Sequence, residues 1–141
     1  MKKQVVLSIS GKQSYAGQEP EVIELVTDAT LEQLCTGCWE LTYEETALTG
    51  MEGVTTTFLI EDGKIVLSRS GKLNSQMVFR VGVSHDSLYQ LEFGALMLTV
   101  TARNISFDLS EDGGVVDLSY SIEIEQTSAG NIDYHLQIKT K

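Results

Sequence analysis

FLIEDGKIVL, residues 58–67, carries the signal from which the fold can be read. An Asp-Gly pair between two apolar-alternating runs is the strongest short-range mark of a two-residue β-hairpin. With Asp62-Gly63 at the tip, Glu61 opposes Lys64, Ile60 opposes Ile65, Phe58 opposes Leu67 and Thr56 opposes Arg69. Val54, Thr56, Phe58, Ile60, Ile65, Leu67 and Arg69 then share one face. A slip of one residue would turn Phe58, Ile60, Ile65 and Leu67 into water, so the hydrophobic pattern itself specifies the register.

The same period of two runs outward along the chain. DLSYSIEIE (117–125) sets Leu118, Tyr120, Ile122 and Ile124 against Asp117, Ser119, Ser121, Glu123 and Glu125. NIDYHLQIK (131–139) sets Ile132, Tyr134, Leu136 and Ile138 against Asp133, His135, Gln137 and Lys139. Clean alternation of this kind marks half-buried antiparallel strands. Turn signals punctuate it at Gly11, Asp28, Gly37, Gly50, Asp62-Gly63, Gly71, Gly82, Gly94, Asp112-Gly113-Gly114 and Gly130-Asn131. TDATLEQL (27–34) is too short for a helical face and reads as a strand or a single turn. The single proline, Pro20, suits a chain that needs its backbone N–H groups for ladder bonds. Nine or ten strands joined mainly by hairpins leave a sandwich or a barrel, and the lack of long return connections favours a meander. The expectation is an all-β, single-domain antiparallel meander β-barrel of about 8–10 strands over residues 1–141. Its first strand, near Val5–Ile9, should pair with a late one.

Ten basic and twenty acidic residues give a net charge of −10. Such a surface repels phosphate backbones and anionic headgroups, which excludes nucleic acid and membrane as expected partners. The N-terminus, MKKQVVLSIS, has only VVL before alternation begins, so it does not read as a signal peptide, and no apolar run elsewhere is long enough to span a bilayer. A cytoplasmic location follows as an expectation, and with it reduced cysteines.

The chain also resembles the YwiB-like family of bacterial proteins, of unknown function. The resemblance is carried by TYEET (42–46), GMEGVTTTFLIEDGKIVLSRSG (50–71), NSQMVF (74–79), His85 with Tyr89, and FGALMLTVTA (93–102). It covers nearly the whole chain, and 50–79 is its specific part. It implies a calycin-like (lipocalin-like) β-barrel and brings no established activity. Leu91-Glu92-Phe93-Gly94 stands where family members often carry Thr-Pro-aromatic-Gly.

Arg69 is the residue that calls for an explanation, because its parity points it inward. A buried guanidinium without a partner costs several kcal/mol. In CWELTYEE (38–45), Trp39, Leu41, Tyr43 and Glu45 share a parity, and Glu45 falls at the level of Arg69. One reading is a closed internal Glu45–Arg69 pair, with the ring of Tyr43 or Trp39 stacked on the guanidinium. The other is a clamp for the carboxylate or phosphate of a small ligand. The candidate ligand-lining residues are Arg69, Glu45, Trp39, Tyr43, Thr56, Phe58, Ser75 and Tyr89.

Other chemistry is sparse. Cys35 and Cys38 form a C-x-x-C spacing, but zinc needs four ligands and only His85 and His135 remain, far off in sequence. A redox motif would place its first cysteine at a helix N-terminus, so free thiols are expected, with no metal and no cofactor. Neither histidine has an acid or nucleophile at recognisable spacing, and Ser68, Ser70 and Ser75 lack a nucleophile elbow. No catalytic constellation is legible. Two classes remain: a barrel that binds a small molecule inside, and a non-enzymatic interaction or structural module with a filled interior, for instance a homodimer. The size of the interior space separates them.

Overall fold

The structure, a computed structural model, describes residues 2–15, 19–45, 52–71, 74–91, 94–125 and 127–141. The side chains of Tyr15, Leu96 and residues 87–91 and 127–129 lie outside that description. Ten strands follow one another: β1 (Lys3–Tyr15), β2 (Glu21–Cys35), β3 (Cys38–Glu44), β4 (Val54–Glu61), β5 (Lys64–Gly71), β6 (Ser75–Arg80), β7 (Ser84–Leu91), β8 (Gly94–Ser110), β9 (Gly113–Ile124) and β10 (Thr127–Thr140). The segment 27–34 belongs to β2 and is strand throughout.

All ten belong to one antiparallel sheet in the order β6-β5-β4-β3-β2-β1-β10-β9-β8-β7. The first strand pairs with the last, Val5 opposite Thr140 through to Tyr15 opposite Gly130. The meander therefore closes at its termini, and its seam falls between β6 and β7. There the two strands meet through the bridge Arg80 to Val83, and Val81 touches Ala102 of β8 by a parallel bridge. The result is an all-β, nearly closed barrel.

The hairpin at Asp62-Gly63 has the register its alternation demands, from Glu61↔Lys64 through Phe58↔Leu67 to Thr56↔Arg69 and Val54↔Gly71. The inward parity of the strands fills most of the barrel. Leu7, Leu41, Ile60, Ile65 and Phe79 are fully buried, and the Phe79 and Tyr120 rings lie 4.5 Å apart.

Three turn signals turn out to mark something else. Gly11 lies inside β1, where a Cβ would come within 2.8 Å of the Tyr134 ring, so the glycine makes room for that ring. Asp28 sits inside β2, paired with Val6. Gly130-Asn131 lies within β10, just after a register shift between Ser128 and Gly130 that reads as a bulge. Gly50 is outside the described residues, as are Glu92 and Phe93.

The cysteines correct a further expectation. Cys35 opposes Cys38 across the turn Thr36-Gly37, with Cα atoms 4.9 Å apart, and the two are joined as a disulfide rather than free. The hairpin register brings them within ordinary bridging distance, a consequence that C-x-x-C spacing read without the strand pairing does not reveal.

Candidate functional site

Strand register builds a belt of polar and aromatic side chains across four neighbouring strands. Tyr43 of β3 opposes Thr56 of β4, Thr56 opposes Arg69 of β5, and Arg69 opposes Ser75 of β6. All four have inward parity. Glu45, two residues beyond Tyr43 on the same face, is held by a backbone bond from its N–H to the Val54 carbonyl at 2.8 Å.

Beside this belt the interior is not filled. A cavity of about 500 Å³ opens there. Tyr43, Glu45, Phe58, Leu67 and Arg69 form one wall. The opposite wall is the β1–β2 hairpin, through Ile9, Gly11 and Gln13 on β1 and Glu21, Ile23, Glu24 and Leu25 on β2, with Tyr134 of β10 beside it. Gly11 enlarges the space by having no side chain. This second wall was not anticipated, although the parity of Gln13 with Val5, Leu7 and Ile9 is a signal that could have found it.

The electrostatics are unbalanced. Glu45 is 5% exposed and Thr56 is fully buried. The Thr56 hydroxyl donates to Glu45 Oε2 at 2.5 Å, while Oε1 has no partner among the described residues. Arg69 is half-buried rather than deeply buried, its Nε likewise buried without a partner. Among the described residues Arg69 makes no ion pair. The closed Glu45–Arg69 pair is therefore not formed: Glu45 turns to Thr56, the nearer donor on the adjacent strand. Ser75 Oγ is a third buried polar atom without a partner among the described residues. The Tyr43 hydroxyl is held well above the usual tyrosine range, first by burial and then by the negative charge of Glu45, with Arg69 acting the other way.

The structure thus brings Arg69, Glu45, Tyr43 and Phe58 together on the cavity wall and sets Thr56 and Ser75 immediately behind or beside it. Trp39 is elsewhere. It pairs with Ile60 in the filled part of the barrel, buried in the apolar core and off the cavity wall. Tyr89 belongs to β7, and its side chain lies outside the described residues.

The histidines differ from each other. His85 is half-buried, opposite Val100, and its Nδ1 has no partner among the described residues. His135 faces outward and meets Asp117, its cross-strand neighbour, at 2.6 Å. Sequence spacing hid that acid, because β9 and β10 pair across a turn of the chain. Among the described residues no group of three or more His, Cys, Asp or Glu side chains is placed to hold a metal ion, and no helix is long and apolar enough to cross a membrane.

Comparison with known proteins agrees with this architecture. A model of the family described as "Domain of unknown function (DUF1934)" matches residues 7–138. The uncharacterized beta-barrel protein YwiB of Bacillus subtilis (strain 168) is 28% identical over 71 residues, which are 50% of this chain and 50% of that protein. The chain thus matches about half the length of this relative. The crystal structure of ywiB protein from Bacillus subtilis superposes with a TM-score of 0.80 at 24% identity, covering 99% of this chain and 94% of that chain. At that identity the likeness is one of fold.

Proposed function

Because the chain belongs to the family described as a domain of unknown function (DUF1934), which brings a barrel and no activity, we propose its function from the cavity: it holds a small molecule inside the barrel. The observation that carries this reading is the space of about 500 Å³ beside Arg69, in a barrel whose other inward-facing described residues pack into one apolar core. Small-molecule sites commonly occupy roughly 300–1,000 Å³, with mostly apolar walls and a few placed polar groups. Phe58, Leu67, Ile9 and Leu25 supply the apolar part here, and Arg69, Glu45 and Tyr43 the polar part. Barrels of about this strand number are just wide enough for one small ligand. The role is binding rather than catalysis, and a cytoplasmic location belongs to the same proposal.

Native mass spectrometry of the protein purified from its own host tests this. The expected result is a bound mass of a few hundred daltons (roughly what such a volume holds) that is released on unfolding. Leu67→Trp, which sets an indole against the space that the molecule would occupy, should reduce it. Protein that carries no bound mass, and binds an apolar fluorescent dye equally well with and without Leu67→Trp, would rule the reading out.

A second reading, an interaction module or homodimer, is favoured by Val22 and Val26. They are 60% and 67% exposed on the outer face of β2. The same spectra distinguish it, since a dimer doubles the protein mass.

A further inference from the structure

We propose that the cavity is made for an amphoteric small molecule, one that presents an N–H donor, best a protonated amine, to Glu45 and an acidic or carbonyl oxygen to Arg69. This rests on the binding reading above and goes beyond it by assigning the ligand's chemistry.

Two residues of opposite charge, Glu45 and Arg69, line one space without forming an ion pair with each other. Glu45 is a buried carboxylate whose Oε2 is taken by Thr56 and whose Oε1 is an acceptor without a donor among the described residues. Arg69, on the same wall, has a buried N–H without an acceptor among the described residues. Buried polar groups are ordinarily paired, and an unpaired charged one is costly. Had the two met, each would have satisfied the other and left nothing for a ligand. They do not meet. The Thr56 bond and the backbone bond to Val54 hold Glu45 in place.

The charge around the space decides between ligand types. Two carboxylates of inward parity, Glu21 and Glu45, stand against one guanidinium in the lining, a net formal charge of −1, while Glu24 shares the outward parity of Val22 and Val26. A simple anion would gain Arg69 and meet the repulsion of Glu21 and Glu45. A simple cation would gain the acids and leave Arg69 without an acceptor. A molecule with both groups satisfies Glu45 and Arg69 together, and its apolar remainder lies on Phe58 and Leu67. Charge-assisted hydrogen bonds of this kind are about twice as strong as neutral ones, so the discrimination should be large.

Three matched probes test the assignment by titration calorimetry on the full chain: phenylalanine, 3-phenylpropionate and 2-phenylethylamine. They share an aromatic body and differ in carrying both charges, only the carboxylate, or only the amine. Phenylalanine should bind at least tenfold more tightly than either of the others. Arg69→Met should erase its advantage over 2-phenylethylamine, and Glu45→Gln its advantage over 3-phenylpropionate, in variants whose melting shows them folded. The comparison on the unmodified protein stands even if neither variant folds. If 3-phenylpropionate binds as tightly as phenylalanine, or if an apolar dye enters the cavity and phenylalanine does not, the ligand class is wrong while small-molecule binding survives. If neither dye nor any probe binds, the wider reading falls with it.

Discussion

Gly11 shows how much one absent side chain can determine. Replacing a strand glycine by alanine ordinarily gains roughly 0.5–1 kcal/mol, because glycine loses more freedom on folding. Here the added Cβ would lie 2.8 Å from the ring of Tyr134, which itself lines the cavity. Overpacking of that kind costs roughly 1–3 kcal/mol, so the clash should win. Gly11→Ala is expected to lower the denaturation midpoint, and a rise would mean that Tyr134 swings aside at no cost. Tyr43 makes a second prediction at this scale. Its folded pKa is raised above the ordinary 10.0 by burial and by Glu45. The unfolded chain therefore ionises first as the solution becomes alkaline. The contribution is whole below pH 10.0 and is lost as pH rises above it, at up to about 1.4 kcal/mol per unit. Stability curves at pH 9 to 11 should fall more steeply for the unmodified protein than for Tyr43→Phe (roughly the interval around tyrosine's ordinary value); parallel curves would contradict the assignment. Which residues face inward was legible from parity alone, and Arg69 and Glu45 were found that way. Whether they touch was not, because that depends on side-chain torsions and on the competing hydroxyl of Thr56.

Hairpins are the elements that the alternation specifies best. The β4–β5 register follows from Asp62-Gly63 and from the penalty for turning Phe58, Ile60, Ile65 and Leu67 outward. Glycines that serve another purpose blur the same signal. A glycine cleared for a neighbouring ring, as at Gly11, and one beside a bulge, as at Gly130, look in sequence like glycines at turns. The β2–β3 hairpin carries the disulfide Cys35–Cys38 at its tip. It closes a loop of only four residues, so the loop-closure model allows about 2 kcal/mol at most. Denaturation of a Cys35→Ser, Cys38→Ser double variant should show a loss no larger than that. Alkylation of unfolded, unreduced protein should label neither sulfur, and two labels would show that the thiols are free after all.

At the scale of the whole molecule, closure is achieved by the long pairing of β1 with β10, which ties the two ends of the chain together. That pairing was expected from the meander. The position of the seam was not, because it depends on where neighbouring strands diverge in space, a property that no local window of sequence contains. The seam sets an order of opening. β6 and β7 each have a full ladder on one side only, to β5 and to β8, and the bridge between them lies at Arg80 and Val83. At the other end of β6 stands Ser75, opposite Arg69. Backbone amides exchange with solvent through the cheapest local opening, and strands tied on one side open at lower free energy than those tied on both. In deuterium exchange, β6 and β7 should label first and β1 and β10 last. The first breath of the barrel would then begin at Ser75 and run toward Arg80, exposing to water the same belt that faces the cavity.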